Sequence, residues 1–256
     1  MTTVPPSPPL RFTGEDTVRE GVHSREFRLD ADGRSVPGLL WTPEGAHGRR
    51  PLVLIGHGAS NSKRQDYVLV VAHRLVRRYG FAAAAIDGPV HGDRRTDGVG
   101  SGPQVFLGFA QAWMDDPAMT DTMVADWRAT LDGLRELPEV GEGPTGFWGL
   151  SMGTILGLPL VAAEPRITVA VLGLMGSTGP TRERIVADAP RVTCPVLFLV
   201  QWDDELFPRE SALELFASLD APEKRLVANL GSHAAVPDDV FDDTIGFLAR
   251  RLPWPD

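Results

Sequence analysis

Serine is a weak nucleophile at neutral pH and becomes a strong one only beside a general base that a third group orients. One serine of this 256-residue chain sits where such activation is plausible: Ser151, in Gly149-Leu150-Ser151-Met152-Gly153. The pentapeptide follows the apolar Phe147-Trp148 and precedes an apolar run from Thr154 to Ala163, so it reads as the junction of a short strand and a buried helix. A turn that sharp leaves its serine strained and exposed above the sheet edge. It needs glycine two positions before and two after, so that the strand and helix backbones can approach. The base is expected to be one of six histidines. His23 and His47 fall in early loops, His73 within a helical stretch, His57 at a strand end beside glycine, and His91 in a long connecting segment. His233 lies in Asn229-Leu230-Gly231-Ser232-His233-Ala234, a turn-rich loop after the last strand. The acid is expected after the strand Pro195 to Val200, within Asp203-Asp204-Glu205. Serine, acid, histidine is a chain order in which this constellation is built.

The elements that must carry these residues are legible as alternating patterns. Glu26 to Leu29 and Val36 to Trp41 read as a hairpin turned at Asp32-Gly33. From Pro51 onward, largely apolar strands (Leu52 to Ile55, Phe81 to Ile86, the strand before Ser151, Ile167 to Leu174, Pro195 to Val200) and a last short strand, Arg225 to Ala228, alternate with helices. The helices are Tyr67 to Tyr79, Met119 to Leu137, the run after Ser151, Ser211 to Leu219 and Asp239 to Arg250, and Pro159 should kink or end the third of them. Strands apolar on both faces call for a mostly parallel sheet of about eight strands covered by helices on both sides. In such a sheet, ligands bind outside the carboxyl ends of the strands. Residues 1–20, rich in proline, read as an irregular N-terminal arm, and residues 21–256 as one α/β domain. Val90 to Pro117 breaks the alternation with an apolar, aromatic centre. It reads as a small lid or pocket wall, or else as a helical insertion packed on the core. Phe106, Phe109, Trp113 and Trp202 are the candidate pocket residues, with Tyr67 and the Met152 side chain as further ones.

Composition narrows the function. A net charge of −9 argues against a nucleic-acid partner. One cysteine, Cys194, allows no intramolecular disulfide, and its place beside Pro195 at a strand start suggests a buried, inert thiol. No basic-then-apolar leader and no apolar run of membrane-spanning length is present, so a cytoplasmic protein with no membrane partner is expected. His91-Gly92-Asp93 has no second cluster at ligand spacing, so neither a metal nor another cofactor is expected.

Five motifs together resemble the α/β-hydrolases, and within them the dienelactone-hydrolase-like and prolyl-oligopeptidase-like carboxylesterases. They are Ile55-Gly56-His57-Gly58-Ala59, Asp87-Gly88-Pro89-Val90-His91-Gly92-Asp93-Arg94, Gly149-Leu150-Ser151-Met152-Gly153, Asp204-Glu205-Leu206-Phe207-Pro208 and Gly231-Ser232-His233. The resemblance spans about residues 51 to 250. It implies an α/β-hydrolase fold with a small lid insertion and a triad of Ser151, Asp204 and His233. Asp204 is preferred to Asp203 because Asp204-Glu205-Leu206-Phe207-Pro208 fits the family's Asp-x-x-Val-Pro-like run, with Phe207 at the valine position. Dienelactone hydrolases carry cysteine where this chain has Ser151, so that exact activity is not implied.

A tetrahedral intermediate needs two backbone N–H donors. One is expected at Met152, directly after the nucleophile and at a helix N-terminus. The resemblance places the other at Ala59 and makes His57 a residue that shapes the loop. Only 20 residues, 175–194, separate two successive strands after the elbow, where many lipases carry a large cap. A fairly open pocket and a short to medium-sized ester as small-molecule substrate follow. The same triad would equally serve thioester, amide or carbon–carbon bond hydrolysis or acyl transfer, and a non-catalytic binding protein is the remaining class. The oligomeric state is not encoded in these patterns.

Overall fold

A computed structural model describes residues 10–253. Nine strands form one sheet: β1 (Arg11–Arg19), β2 (Val22–Ala31), β3 (Arg34–Pro43), β4 (Leu52–Gly56), β5 (Ala82–Ile86), β6 (Thr145–Gly149), β7 (Ile167–Gly173), β8 (Val196–Gln201) and β9 (Lys224–Asn229). Their spatial order is β1-β2-β3-β5-β4-β6-β7-β8-β9. The first three run antiparallel to their neighbours, and β5 through β9 form the parallel body.

Strand patterning explains the layering. Every residue of β4, β5, β6 and β8 is buried, and alternate side chains feed two separate apolar layers. On one face Leu54, Ala84, Phe147 and Phe198 join the core under α3 (Met119–Arg135), α4 (Met152–Ala163), α5 (Arg182–Asp188) and α6 (Arg209–Ser218). On the other, Val53, Ala85, Trp148 and Leu197 pack beneath α1 (Asp66–Tyr79) and α7 (Asp238–Ala249). The alternation from Leu52 onward and the covering of both faces are as the sequence suggests.

One sequence expectation is corrected and two open alternatives are narrowed. Within the expected irregular arm, Arg11–Arg19 is a strand, which brings the sheet to nine strands among the described residues against the about eight expected; residues 1–9 lie outside the described part of the chain. β1 is exposed almost throughout, so it carries no apolar alternation and is held by backbone pairing with β2 and by Arg25 lying over the Phe12 ring at 4.1 Å. Secondly, of the two outcomes expected at Pro159, the early end is excluded, since α4 continues to Ala163. The proline deprives one carbonyl of its donor, yet every residue from Met152 to Val161 is buried, and that packing outweighs the lost bond. Thirdly, the long segment after β5 contains the helix that one of its two readings expected: a 3-10 turn, Gly92–Arg94, is followed by α2 (Pro103–Asp115). The helix buries Val105 and Phe109 while Leu107 and Met114 face outward. No helix among the described residues is long and apolar enough to cross a membrane.

Candidate active site

The turn between β6 and α4 has the geometry its sequence demands. Ser151 adopts φ 57°, ψ −121°, a strained conformation for a residue with a side chain. The strain persists because the surroundings over-determine it. Ser151 N–H donates to the Gly173 carbonyl at 3.0 Å. The Thr154 hydroxyl lies 2.8 Å from the Gly149 carbonyl and 2.7 Å from that of Gly173, and accepts the Gly173 N–H at 2.8 Å. Both glycines of the pentapeptide are required sterically. A Cβ on Gly149 would sit 2.7 Å from the Gly153 carbonyl oxygen, and one on Gly153 would sit 2.5 Å from that of Gly56.

The fold brings together the three residues that the sequence order grouped. The loop after β9 carries His233, whose Nε2 lies 2.9 Å from Ser151 Oγ, and its Nδ1 lies 2.8 Å from Asp204 Oδ2. The other Asp204 oxygen accepts the N–H groups of Leu206 (2.8 Å) and Phe207 (2.9 Å). Burial alone would raise the Asp204 pKa, but the His233 bond and these two amides outweigh it and hold the carboxyl below its usual range. Asp203 points elsewhere: its Oδ2 accepts the Gly231 N–H at 3.3 Å. Glu205 Oε2 accepts the backbone N–H of His233 at 2.8 Å. All three acids after β8 therefore grip the histidine loop, Asp204 by the ring and its neighbours by the main chain.

Beside Ser151, the N–H groups of Ala59 and Met152 make no hydrogen bond to other described residues, as donors reserved for an oxyanion would require. The Ala59 loop is fixed from several directions. His91 Nε2 lies 3.0 Å from the Ala59 carbonyl, and the Gly58 N–H donates to the Tyr67 hydroxyl at 2.5 Å. Burial lowers the His91 pKa, so the neutral ring donates to either the Ala59 or the Pro89 carbonyl, not both. His57 is fully enclosed. Its Nε2 accepts the Gly88 N–H at 2.8 Å, so the proton resides on Nδ1 and is donated to the Gly58 carbonyl at 2.8 Å. Burial, reinforced by the nearby His91, depresses its pKa to about 3. His57 thus ties the ends of β4 and β5 together as a neutral ring, the shaping role implied above.

A device that the sequence did not reveal lies behind this loop. Lys63, wholly buried, bonds Asp87 Oδ2 at 2.5 Å and Asp93 Oδ2 at 2.8 Å. Asp87 also accepts the N–H groups of Lys63 (3.0 Å) and Asp93 (2.8 Å). Burial opposes ionisation of Asp93, but Lys63 and Arg64 prevail and hold its carboxyl low. Lys63 is one of two lysines in the chain, and its role becomes visible only once the ends of β4 and β5 adjoin.

A cavity of about 350 Å³ opens onto Ser151 and His233. Of the candidate pocket residues, Phe106 and Tyr67 line it, and its apolar wall also includes Leu150, Leu174, Leu206, Val236 and Phe241. Phe109, Trp113 and Trp202 do not. Phe109 packs between His91 and Trp113 (ring centroids at 5.7 and 5.9 Å), and Trp113 donates to the Thr181 hydroxyl at 3.1 Å. Trp202 lies half-exposed beneath Arg209, 4.3 Å away. The Met152 side chain turns toward Gly88, away from the cavity. Helix α2 is accordingly both things at once, packed on the core through Phe109 and walling the cavity through Phe106. Cys194 is buried, and burial raises its thiol pKa to about 12, which makes it inert. Among the described residues no group of three His, Cys, Asp or Glu side chains is placed to hold a metal ion.

No family model matches the chain, and neither does any curated protein. Solved structures do. A PEG-bound complex of a cold-adapted esterase from an Arctic intertidal metagenomic library is 45% identical, with 95% of this chain and 100% of that one aligned and a TM-score of 0.84. Acetyl xylan esterase 1 from Thermoanaerobacterium sp. JW/SL YS485 is 17% identical over 96% of this chain and 89% of that one, with a TM-score of 0.74, a likeness of fold. The elbow, the sheet order and that near-complete alignment lead to one conclusion: the chain belongs to the α/β-hydrolase superfamily, in the same family as the Arctic cold-adapted esterase.

Proposed function

We propose that this hydrolase cleaves carboxylic esters of short to medium size through an acyl-enzyme. What carries the reading is the continuous hydrogen-bonded line from Asp204 through His233 to Ser151, with donor distances of 2.8 and 2.9 Å. In this reaction Ser151 Oγ attacks the ester carbonyl while His233 Nε2 takes its proton. The tetrahedral oxyanion is met by the N–H groups of Ala59 and Met152, each of which contributes about 10²–10³ in rate. His233 returns the proton to the leaving alcohol, and water then resolves the acyl-enzyme by the same steps in reverse. Asp204 holds the proton on Nδ1, so that Nε2 is free to act as base. The size class follows from the cavity, which at about 350 Å³ lies toward the lower end of small-molecule sites. Esterase activity of the 45%-identical relative supports the ester over a thioester, an amide or a carbon–carbon bond. A cytoplasmic location belongs to the same reading, since a single cysteine gives an oxidising compartment no structural use.

The test is a chain-length series of p-nitrophenyl esters with wild type and Ser151→Ala, alongside labelling by a fluorophosphonate. Wild type should hydrolyse the shorter esters and label at Ser151, and the variant should do neither. Equal rates in the two proteins would refute the serine mechanism.

A further inference from the structure

The cavity beside Ser151 is electrically one-sided. Among the described residues that line it, Glu205 is the one carboxylate and none is lysine or arginine. Among the described residues the Glu205 carboxylate meets the backbone N–H of His233, 2.8 Å from Oε2, and no cationic side chain. That bond anchors an exposed side chain at the cavity wall instead of leaving it to swing into solvent. The same N–H is the main reason its pKa lies below the usual glutamate range, so it is charged at neutral pH.

The opposite quality of the wall is aromatic. Tyr67, Phe106 and Phe241 all line the cavity, and the Tyr67 and Phe241 rings stack with centroids 6.2 Å apart. Aromatic rings attract cations through their quadrupole, and the Glu205 carboxylate in the same cavity lining supplies the matching charge. A second carboxylate on the substrate would meet repulsion with no counter-ion in the wall.

From this geometry we infer that the cavity selects esters bearing an ammonium group and rejects esters bearing a carboxylate, with Glu205 setting the preference. The inference rests on the ester reading above. A substrate charge roughly 8 Å from Glu205, at an effective dielectric of about 40, changes binding by about sixfold, or about thirtyfold between a cation and an anion.

The experiment uses p-nitrophenyl esters of three acyl groups on a four-carbon chain, one neutral, one cationic and one anionic: butyryl, 4-(trimethylammonio)butyryl and succinyl. Their kcat/KM values are measured at low and raised ionic strength for wild type and Glu205→Gln. Glutamine keeps an acceptor for the His233 N–H and removes only the charge. The cationic-to-anionic ratio should be about thirty in wild type, shrink in salt, and fall to within about fivefold of unity in the variant. A wild-type ratio near one, or a ratio that survives in Glu205→Gln, overturns the inference. Calorimetric titration of the matching amide analogues onto Ser151→Ala, with and without Glu205→Gln, reads the charge preference apart from turnover. A wild type that hydrolyses none of the three esters would overturn the ester reading. Cation-selective binding that disappears with Glu205→Gln would then still uphold the role of Glu205.

Discussion

The sharpest consequence of the site concerns Asp204→Asn, a change of one oxygen for one nitrogen. In the native site one Asp204 oxygen receives two backbone N–H groups, from Leu206 at 2.8 Å and Phe207 at 2.9 Å. The other faces His233 Nδ1 at 2.8 Å. An asparagine can present its carbonyl to the two amides, or its NH₂. The second choice leaves two N–H donors facing a third, a loss of about 1–3 kcal/mol for each unsatisfied group. The carbonyl therefore stays where the amides are, and the NH₂ is turned toward Nδ1. His233 must then accept at Nδ1 and carry its proton on Nε2, pointing at Ser151 Oγ, where it can no longer act as base. The negative charge that stabilises the imidazolium is also lost. The wrong tautomer in this arrangement costs about 10⁴ in kcat/KM, or about 5.5 kcal/mol of transition-state stabilisation. Stability should barely change, since shape and both amide bonds are kept. The assay is p-nitrophenyl butyrate hydrolysis with thermal unfolding as the control for folding. Asp203→Asn is the parallel variant: it keeps an acceptor for the Gly231 N–H and should remain within about tenfold of wild type, the scale of one hydrogen bond. If Asp204→Asn stays within tenfold of wild type, or Asp203→Asn loses more than it does, the assignment of the orienting acid is wrong.

Two further outcomes follow from the loops around Ser151. Gly153→Ala would place a Cβ 2.5 Å from the Gly56 carbonyl, forcing α4 from β4; overpacking of this kind costs about 1–3 kcal/mol. It should shift Ser151 enough to cut kcat by about 10²-fold, measurable by steady-state kinetics beside chemical denaturation. The enclosed His57 makes stability depend on pH. Its folded pKa of about 3 lies below the unfolded value of 6.5, so between these values the unfolded chain binds more protons. The contribution of His57 is complete above pH 6.5 and is lost as the pH falls toward 3, amounting to about 2 kcal/mol between pH 7 and 5. Guanidinium unfolding of wild type and His57→Gln at both pH values should show a shallower pH dependence in the variant. Parallel slopes would contradict a neutral, buried His57.

The strand-turn-helix junction around Ser151 was legible in the sequence because presenting a serine in this way is a local problem. A strand, a strained serine, a helix and the two glycines that let them approach all lie between Thr145 and Ala163, and a Cβ at Gly149 or Gly153 would meet backbone. The parallel body was legible for a related reason, since strands buried on both faces leave continuous apolar runs such as Leu52–Gly56. The edge strand β1 was not, because it is solvated on both faces and held by backbone pairing. At Pro159 the sequence left open whether α4 kinks or ends, and burial carries the helix on to Ala163.

For the site itself, the sequence determined which residue types were available and in what order, Ser151, then an acid among 203–205, then His233. The motif resemblance favoured Asp204 among those acids. Only the tertiary structure decided what each neighbour does. It turned Asp203 and Glu205 onto the backbone of the histidine loop, set Lys63 against Asp87 and Asp93, put Phe106 in the cavity wall and drew Trp113 and Trp202 away from it. These are contacts between residues far apart in the chain, as His233 is 82 positions from Ser151 and Lys63 is 24 from Asp87. No periodicity records them. They exist because the sheet aligns the carboxyl ends of its strands along one edge, and the loops that meet there can be any length apart in sequence.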